Sequence, residues 1–309
     1  MEKLRYLKEE ISDFIQCMPE KSIYTCNFEP PVEFSITKIS KTNNKINGDL
    51  DRLINQYKER GFALFEVDQN NSNHEIVKFL SRSLGLGEPY VPARYANGDS
   101  SHLYEMGINT ISTHINGRAI HQSKDDRKVK HAFTTANEQQ LHVDGTLEEI
   151  GLIKTSILLC VTPAFSGGET VIFNSVSAFV ELAKHDINAA ISLLNPKCLK
   201  RMDLAHGDTY TGPVFMFREG ELFSRFSLDK TSCWKDGLNS VESLDRAYSF
   251  LTKMTKKSSP FFCEMKLEAG QGIIIANDKI SHGRKSYIQS QIHARTMLRG
   301  IFLEAPSAD

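Results

Sequence analysis

Nothing in this 309-residue chain is lopsided enough to put it in a specialised class. No apolar run approaches the roughly 20 residues that a membrane span requires. The N-terminus, Met1-Glu2-Lys3-Leu4-Arg5, lacks the apolar core of a secretory signal. Basic residues are not massed in one block, and 37 Lys and Arg against 38 Asp and Glu leave a formal net charge of −1. A nucleic-acid footprint is therefore not expected, nor a membrane partner. The six cysteines, Cys17, Cys26, Cys160, Cys198, Cys233 and Cys263, form no CxxC pair. They read as scattered reduced thiols, with the cytoplasm as the default location. There is no internal repeat and no low-complexity tract.

What is present suits one substantial core. Hydrophobic residues make up 40% and aromatics 9%, ordinary for a globular chain. The spacing of Leu4, Leu7, Ile11 and Ile15 predicts a helix over 1–19. A second is expected over 49–60, closed by Gly61 as a C-terminal cap. A buried strand follows at Phe62–Val67, then a helix over 74–84. From 86 to 136 the pattern is poor, and long irregular stretches in compact proteins are often lids or binding loops. Beyond 141, strands dominate: Leu152–Val161, a turn at Gly167-Gly168, Val171–Phe173, a helix over 175–195, then Pro213–Phe217, Leu222–Phe226, Phe261–Leu267, Gly272–Ile275 and Ala294–Leu303. The expected architecture is mainly β with flanking helices, a double-stranded β-helix or jelly-roll core with a helical N-terminal region and a helical insertion. It reads as one catalytic domain over 1–309, with 1–85 as support, 86–136 as active-site loop or lid, and 137–309 as the core.

The chemistry is concentrated in a few residues. His142 and Asp144 lie in Leu141-His142-Val143-Asp144-Gly145-Thr146, and on a strand residues i and i+2 share a face. A third ligand has to come from a distant strand. His282 is the candidate, 138 positions after Asp144, in Asn277-Asp278-Lys279-Ile280-Ser281-His282-Gly283-Arg284. Two imidazoles and a carboxylate cap one face of an octahedral ferrous ion and leave positions open. Zinc accepts the same set and is the competing metal. Arg295, 13 residues after His282, suits the far carboxylate of a 2-oxoacid.

The surrounding residues are more specific. The stretch 141–182 resembles the taurine dioxygenase and TfdA-like family of 2-oxoglutarate-dependent oxygenases: Leu-His-Val-Asp-Gly-Thr, a strand, Pro163, then Ser166-Gly167-Gly168-Glu169-Thr170. The stretch 267–300 adds Asn277, His282-Gly283-Arg284 and Arg295-Thr296-Met297-Leu298-Arg299, a histidine followed by an Arg-xxx-Arg pair. Asn277 and His-Gly-Arg look more like the clavaminate synthase branch, while Asp144 leans toward the taurine enzyme. The resemblance covers roughly 110–310. It implies that His142, Asp144 and His282 bind Fe(II), and that Thr170 and Arg295 hold the distal carboxylate of 2-oxoglutarate. Arg299 would meet an acidic substrate group or support the co-substrate. Arg284 reads as structural.

The implied reaction consumes O2 and 2-oxoglutarate, releases succinate and CO2, and oxidises an unactivated C–H bond. Hydroxylation is the default outcome, with desaturation, epoxidation or cyclisation as alternatives. Asp144 stands where related halogenases carry a small residue, which disfavours halogenation. Candidate pocket residues are Tyr90, Arg94, Tyr95, His102, Tyr104 and Arg118 in the irregular segment, with Phe215, Arg225 and Phe226 further on. Mixed aromatic and arginine content suits a small anionic or zwitterionic substrate, such as an amino-acid derivative or a natural-product intermediate. Two competing readings are a silent 2-oxoglutarate or metabolite sensor on the same fold, and a zinc hydrolase that leaves Thr170 and Arg295 without a role. The sequence leaves oligomeric state open.

Overall fold

Helix, glycine and buried strand open the scaffold as a local unit. Asp49 caps the helix Leu50–Arg60 by accepting the Arg52 N–H at 2.9 Å. Gly61 ends it at φ 79° and donates its N–H to the Tyr57 carbonyl. A Cβ at Gly61 would stand 2.0 Å from Ile280 Cδ1. Gly61→Ala is therefore expected to cost about 2–4 kcal/mol, from left-handed backbone strain plus overpacking. Equilibrium urea unfolding would read it as a lower midpoint at unchanged slope.

The computed structural model describes residues 2–28, 35–42, 45–71, 73–92, 104–112, 114–115, 118–119, 135–204, 207–289 and 294–307. Phe62–Glu66 enters a seven-stranded sheet in the order Ile36–Lys38, Phe62–Glu66, Gln271–Ala276, Thr155–Thr162, Thr296–Phe302, Ile108–Ser112, Tyr104–Glu105. Only the first pairing is parallel. Thr155–Thr162 lies at its centre, with Ile157 opposite Ile274 on one side and Gly300 on the other. Its β-branched and aliphatic run is what a strand enclosed by neighbours requires. A four-stranded antiparallel sheet runs Phe262–Met265, Thr170–Phe173, Ser281–Arg284, Gln139–His142. Residues of both sheets line one cavity, so the sheets face each other as the jelly roll expected from the strand pattern. Ile157, Leu159, Ile273, Ile275 and Phe302 are fully buried in its core.

The helices Leu50–Arg60 and His74–Ser83 pack against strands of the larger sheet. Three more, Ser175–His185, Ile187–Ser192 and Leu244–Met254, pack on one another. Among the described residues no helix is long and apolar enough to cross a membrane.

Several expectations need correction. The segment 86–136 is not irregular throughout: Ile108–Ser112 is a full member of the large sheet, its pairing with Thr296–Phe302 supplied by residues nearly 190 positions away. The helix over 175–195 is broken at Asp186, whose side chain accepts the Ala189 N–H at 3.0 Å and starts a second helix. Leu244–Met254 was not expected as a helix. The region after 195 also carries a small sheet of Leu199–Met202 with Thr209–Gly212 and Ser232–Cys233, so the insertion is not purely helical.

Candidate active site

His142 is the last residue of the strand Gln139–His142, and its register partner across the sheet is His282. The two rings lie 4.6 Å apart between centroids. Asp144 lies just beyond the strand, not on it as the two-residue spacing suggested. The chain leaves the sheet there because Asn277 takes over its hydrogen bonds. The Asn277 Oδ1 accepts the Asp144 N–H at 2.8 Å, and its Nδ2 donates to the Ile153 carbonyl at 2.9 Å. This gives Asn277, marked in the sequence only as part of a motif, a physical task. One ligand atom from each of His142, Asp144 and His282 falls within 4.8 Å of the other two.

Charge and protonation suit a cation. Burial alone would raise the Asp144 carboxyl. Arg299 foremost, then the two imidazoles and the Ser156 hydroxyl, instead hold it well below the usual carboxylate range. Its Oδ1 accepts from Arg299 Nη1 at 2.7 Å and its Oδ2 from Ser156 Oγ at 2.7 Å. Burial, reinforced by His142, pushes the His282 imidazole down to about 3, so it is neutral with a lone pair available. His282 Nε2 stands 3.7 Å from Asp144 Oδ2. The His142 Nδ1 lies 3.0 Å from the Gln140 carbonyl. That contact puts the ring proton on Nδ1 and leaves Nε2 as the donor atom. Two imidazole nitrogens and one carboxylate oxygen, all buried, fit a facial Fe(II) site.

Next to the triad is a cavity lined by His142, His282, Thr170, Arg284, Arg295 and Arg299 among others. Thr170 pairs in register with Arg284. Arg295 is 6% exposed, and its guanidinium lies 5.2 Å from the centre of the Tyr287 ring. No described residue accepts a hydrogen bond from that guanidinium, which leaves its fork available to a carboxylate. Gly168, at φ 77°, keeps the space clear: a Cβ there would crowd Ala164, Tyr287 and Arg295 Nε at 3.2–3.4 Å.

The structure thus brings His142, Asp144, His282, Thr170, Arg295 and Arg299 together. Arg299 contacts Asp144 besides lining the cavity. The other candidates divide. Phe215 does not line the cavity: it is fully buried and packs on Phe179 with ring centroids 4.7 Å apart. Phe226 is likewise core, against Phe173 and Trp234. Tyr104 sits on the edge strand opposite Asn109. Arg225 is buried beside the loop that follows Asp144. Arg118 is placed only as part of the strand Arg118–Ala119, its side chain outside the description, and Arg94, Tyr95 and His102 lie outside the described residues. Sequence reasoning missed Gln139, whose Nε2 is 3.2 Å from His142 Nε2, and Ser156. Arg284, read as structural, donates from Nη2 to the carbonyls of Thr135 and Asn137 and also lines the cavity.

A family model described as taurine catabolism dioxygenase TauD, TfdA family, matches residues 25–301. The chain belongs to this family. It is a non-heme iron, 2-oxoglutarate-dependent dioxygenase. Among curated proteins, a uridine-5'-phosphate dioxygenase of an Amycolatopsis species is 34% identical over 260 residues, 83% of this chain and 90% of the relative. A second protein of that name, from a Streptomyces species, is 31% identical over 264 residues, again covering 83% and 90%. Solved structures share the fold. An asparagine oxygenase bound to Fe(II), 2S,3S-3-hydroxyasparagine and succinate gives a TM-score of 0.57 at 13% identity, covering 83% of this chain and 78% of that one. The oxygenase OrfP with Fe, succinate and (3S)-hydroxy-L-Arg gives 0.53 at 16%, covering 79% and 75%.

Proposed function

We propose that this dioxygenase oxidises an unactivated C–H bond of a nucleoside 5'-monophosphate, with uridine 5'-phosphate the first candidate. The observation that carries the reading is the similarity to two uridine-5'-phosphate dioxygenases over 90% of their length. A site lined by Arg284, Arg295 and Arg299 agrees with an acidic small molecule better than with a neutral one. This moves the substrate away from the amino-acid derivative that the sequence suggested.

In this reading His142, Asp144 and His282 hold the iron. Bound iron supplies the activation of O2, coupled to decarboxylation of 2-oxoglutarate to succinate. The chain supplies the rest. Thr170 and Arg295 receive the distal carboxylate of 2-oxoglutarate, with Arg295 held against Tyr287. Ser156 and Arg299 fix both oxygens of Asp144, keeping the carboxylate oriented and ionised. Asn277 holds the turn that presents it. The apolar side chains Ile111, Leu158 and Met297 limit water in the cavity.

The test is succinate release under air from enzyme supplied with Fe(II), 2-oxoglutarate and ascorbate. A panel of nucleoside 5'-monophosphates is compared with the parent nucleosides and with asparagine and arginine. Uridine 5'-phosphate is expected to raise succinate formation at least about tenfold over the substrate-free rate and to yield an oxidised product. Stimulation by an amino acid alone would reject the nucleotide reading. The absence of any succinate with every compound would favour a silent sensor.

A further inference from the structure

Two buried arginines lie outside the cavity of Thr170 and Arg295 and have no part in the roles above. Arg201, on the strand Leu199–Met202, is fully buried and is among the largest such side chains. Arg225 is 2% exposed. Both are attached to the flank of the iron ligands. The Arg201 Nη1 donates to Ser227 Oγ, and that oxygen also accepts, at 3.4 Å, the N–H of Val143, the residue between His142 and Asp144. The Arg225 Nη2 donates at 3.3 Å to the carbonyls of Thr146 and Glu148, in the loop that follows Asp144.

Their charges are under-compensated. Arg201 has Asp229 at 4.0 Å and otherwise only the hydroxyls of Ser227 and Thr231, with Asp144 acting from further off. Asp144 is already engaged by Arg299. Arg225 has no ion pair among the described residues. Its Nε and Nη1 are buried without a hydrogen-bond partner, beneath the Tyr210 ring at 4.5 Å. Burial and the neighbouring charge of Arg201 push the Arg225 guanidinium down to about 10, with Tyr210 opposing. Glu148, Glu149 and Asp278 line the same small cleft as Arg225. Two guanidinium groups out of water, one with Asp229 only at 4.0 Å and the other without an ion pair among the described residues, are costly to a fold unless a ligand supplies negative charge. A singly charged carboxylate matches one fork, whereas a phosphate monoester near neutral pH carries close to two charges and three acceptor oxygens.

We infer that Arg201 and Arg225 form the subsite for the phosphate of the substrate, on the flank of Asp144 that the 2-oxoglutarate cavity does not use. This rests on the nucleotide reading above and extends it to named residues. The phosphate would take the free Nε and Nη1 of Arg225, with Arg201 adding charge from behind. The rest of the substrate would then extend from this flank toward the iron.

The experiment is calorimetric titration, under anaerobic conditions, of the enzyme loaded with Fe(II) and 2-oxoglutarate. Uridine 5'-phosphate and uridine are titrated into the wild type, Arg225→Met and Arg201→Lys. The wild type is expected to prefer the phosphorylated ligand. Arg225→Met should reduce that preference by about 10- to 100-fold, the loss of a charge-assisted contact, while binding uridine and 2-oxoglutarate as before. A preference retained in both variants overturns the subsite and leaves the nucleotide reading standing. An equal loss for uridine and its phosphate also overturns it, because the arginines then only shape the loop. A wild type that binds uridine 5'-phosphate no better than uridine rejects the subsite together with the nucleotide reading. If either variant fails to fold, inorganic phosphate answers in the wild type: it should compete with uridine 5'-phosphate and not with 2-oxoglutarate, and no competition overturns the inference.

Discussion

Alanine at His282 is expected to remove iron retention and turnover together. The residue is one of two imidazoles in the cluster, and its register partner across the sheet is the other. Without it a two-donor site remains, and iron affinity should fall by more than about 100-fold, beyond what loss of a supporting contact causes. The sheet pairing is made by backbone groups, so the variant should keep its fold and melt close to the wild type. Metal content after gel filtration and oxygen-dependent succinate release are the two readings. Stoichiometric iron in His282→Ala would remove the histidine from the ligand set and leave the proposed triad without its third member.

Arg295→Ala is expected to raise the KM for 2-oxoglutarate by roughly 100-fold while leaving iron content unchanged. The side chain is almost fully buried, and its guanidinium has no competing acceptor among the described residues, so a carboxylate placed there would lose its charged partner outright. Arg299→Ala should behave differently. Arg299 holds Asp144 Oδ1 at 2.7 Å, so its removal should disturb iron binding more than 2-oxoglutarate. Steady-state kinetics over a 2-oxoglutarate range, set beside metal analysis, separates the two. An unaltered KM in Arg295→Ala would transfer the carboxylate contact to Arg299.

The parts of this site that were legible from sequence are those where residue type and spacing carry the chemistry. His142, Asp144 and His282 announce a metal because two imidazoles and a carboxylate have few other uses together. Gly61 and the turn at Gly167-Gly168 were readable because each needs a backbone that other residues resist. What was not legible depends on partners distant in the chain. Ile108–Ser112 is polar at three of its five positions and becomes a strand through its pairing with Thr296–Phe302. Ser156 looks like any serine until the fold sets it 2.7 Å from Asp144. Phe215 was misread for the opposite reason: an aromatic near arginines suggests a pocket, but the helix Ser175–His185 covers it with Phe179. Leu244–Met254 was overlooked although Leu244, Ala247 and Leu251 fall at helical spacing.

The register that sets His142 against His282 has a consequence for how the protein matures. The two residues are 140 positions apart, and Arg299 comes later still. A ribosome-bound chain that has not reached His282 therefore carries only two of the three proposed donors. Closing so long a span is slow, so loading of the cation follows closure of the smaller sheet and can serve as a clock for it.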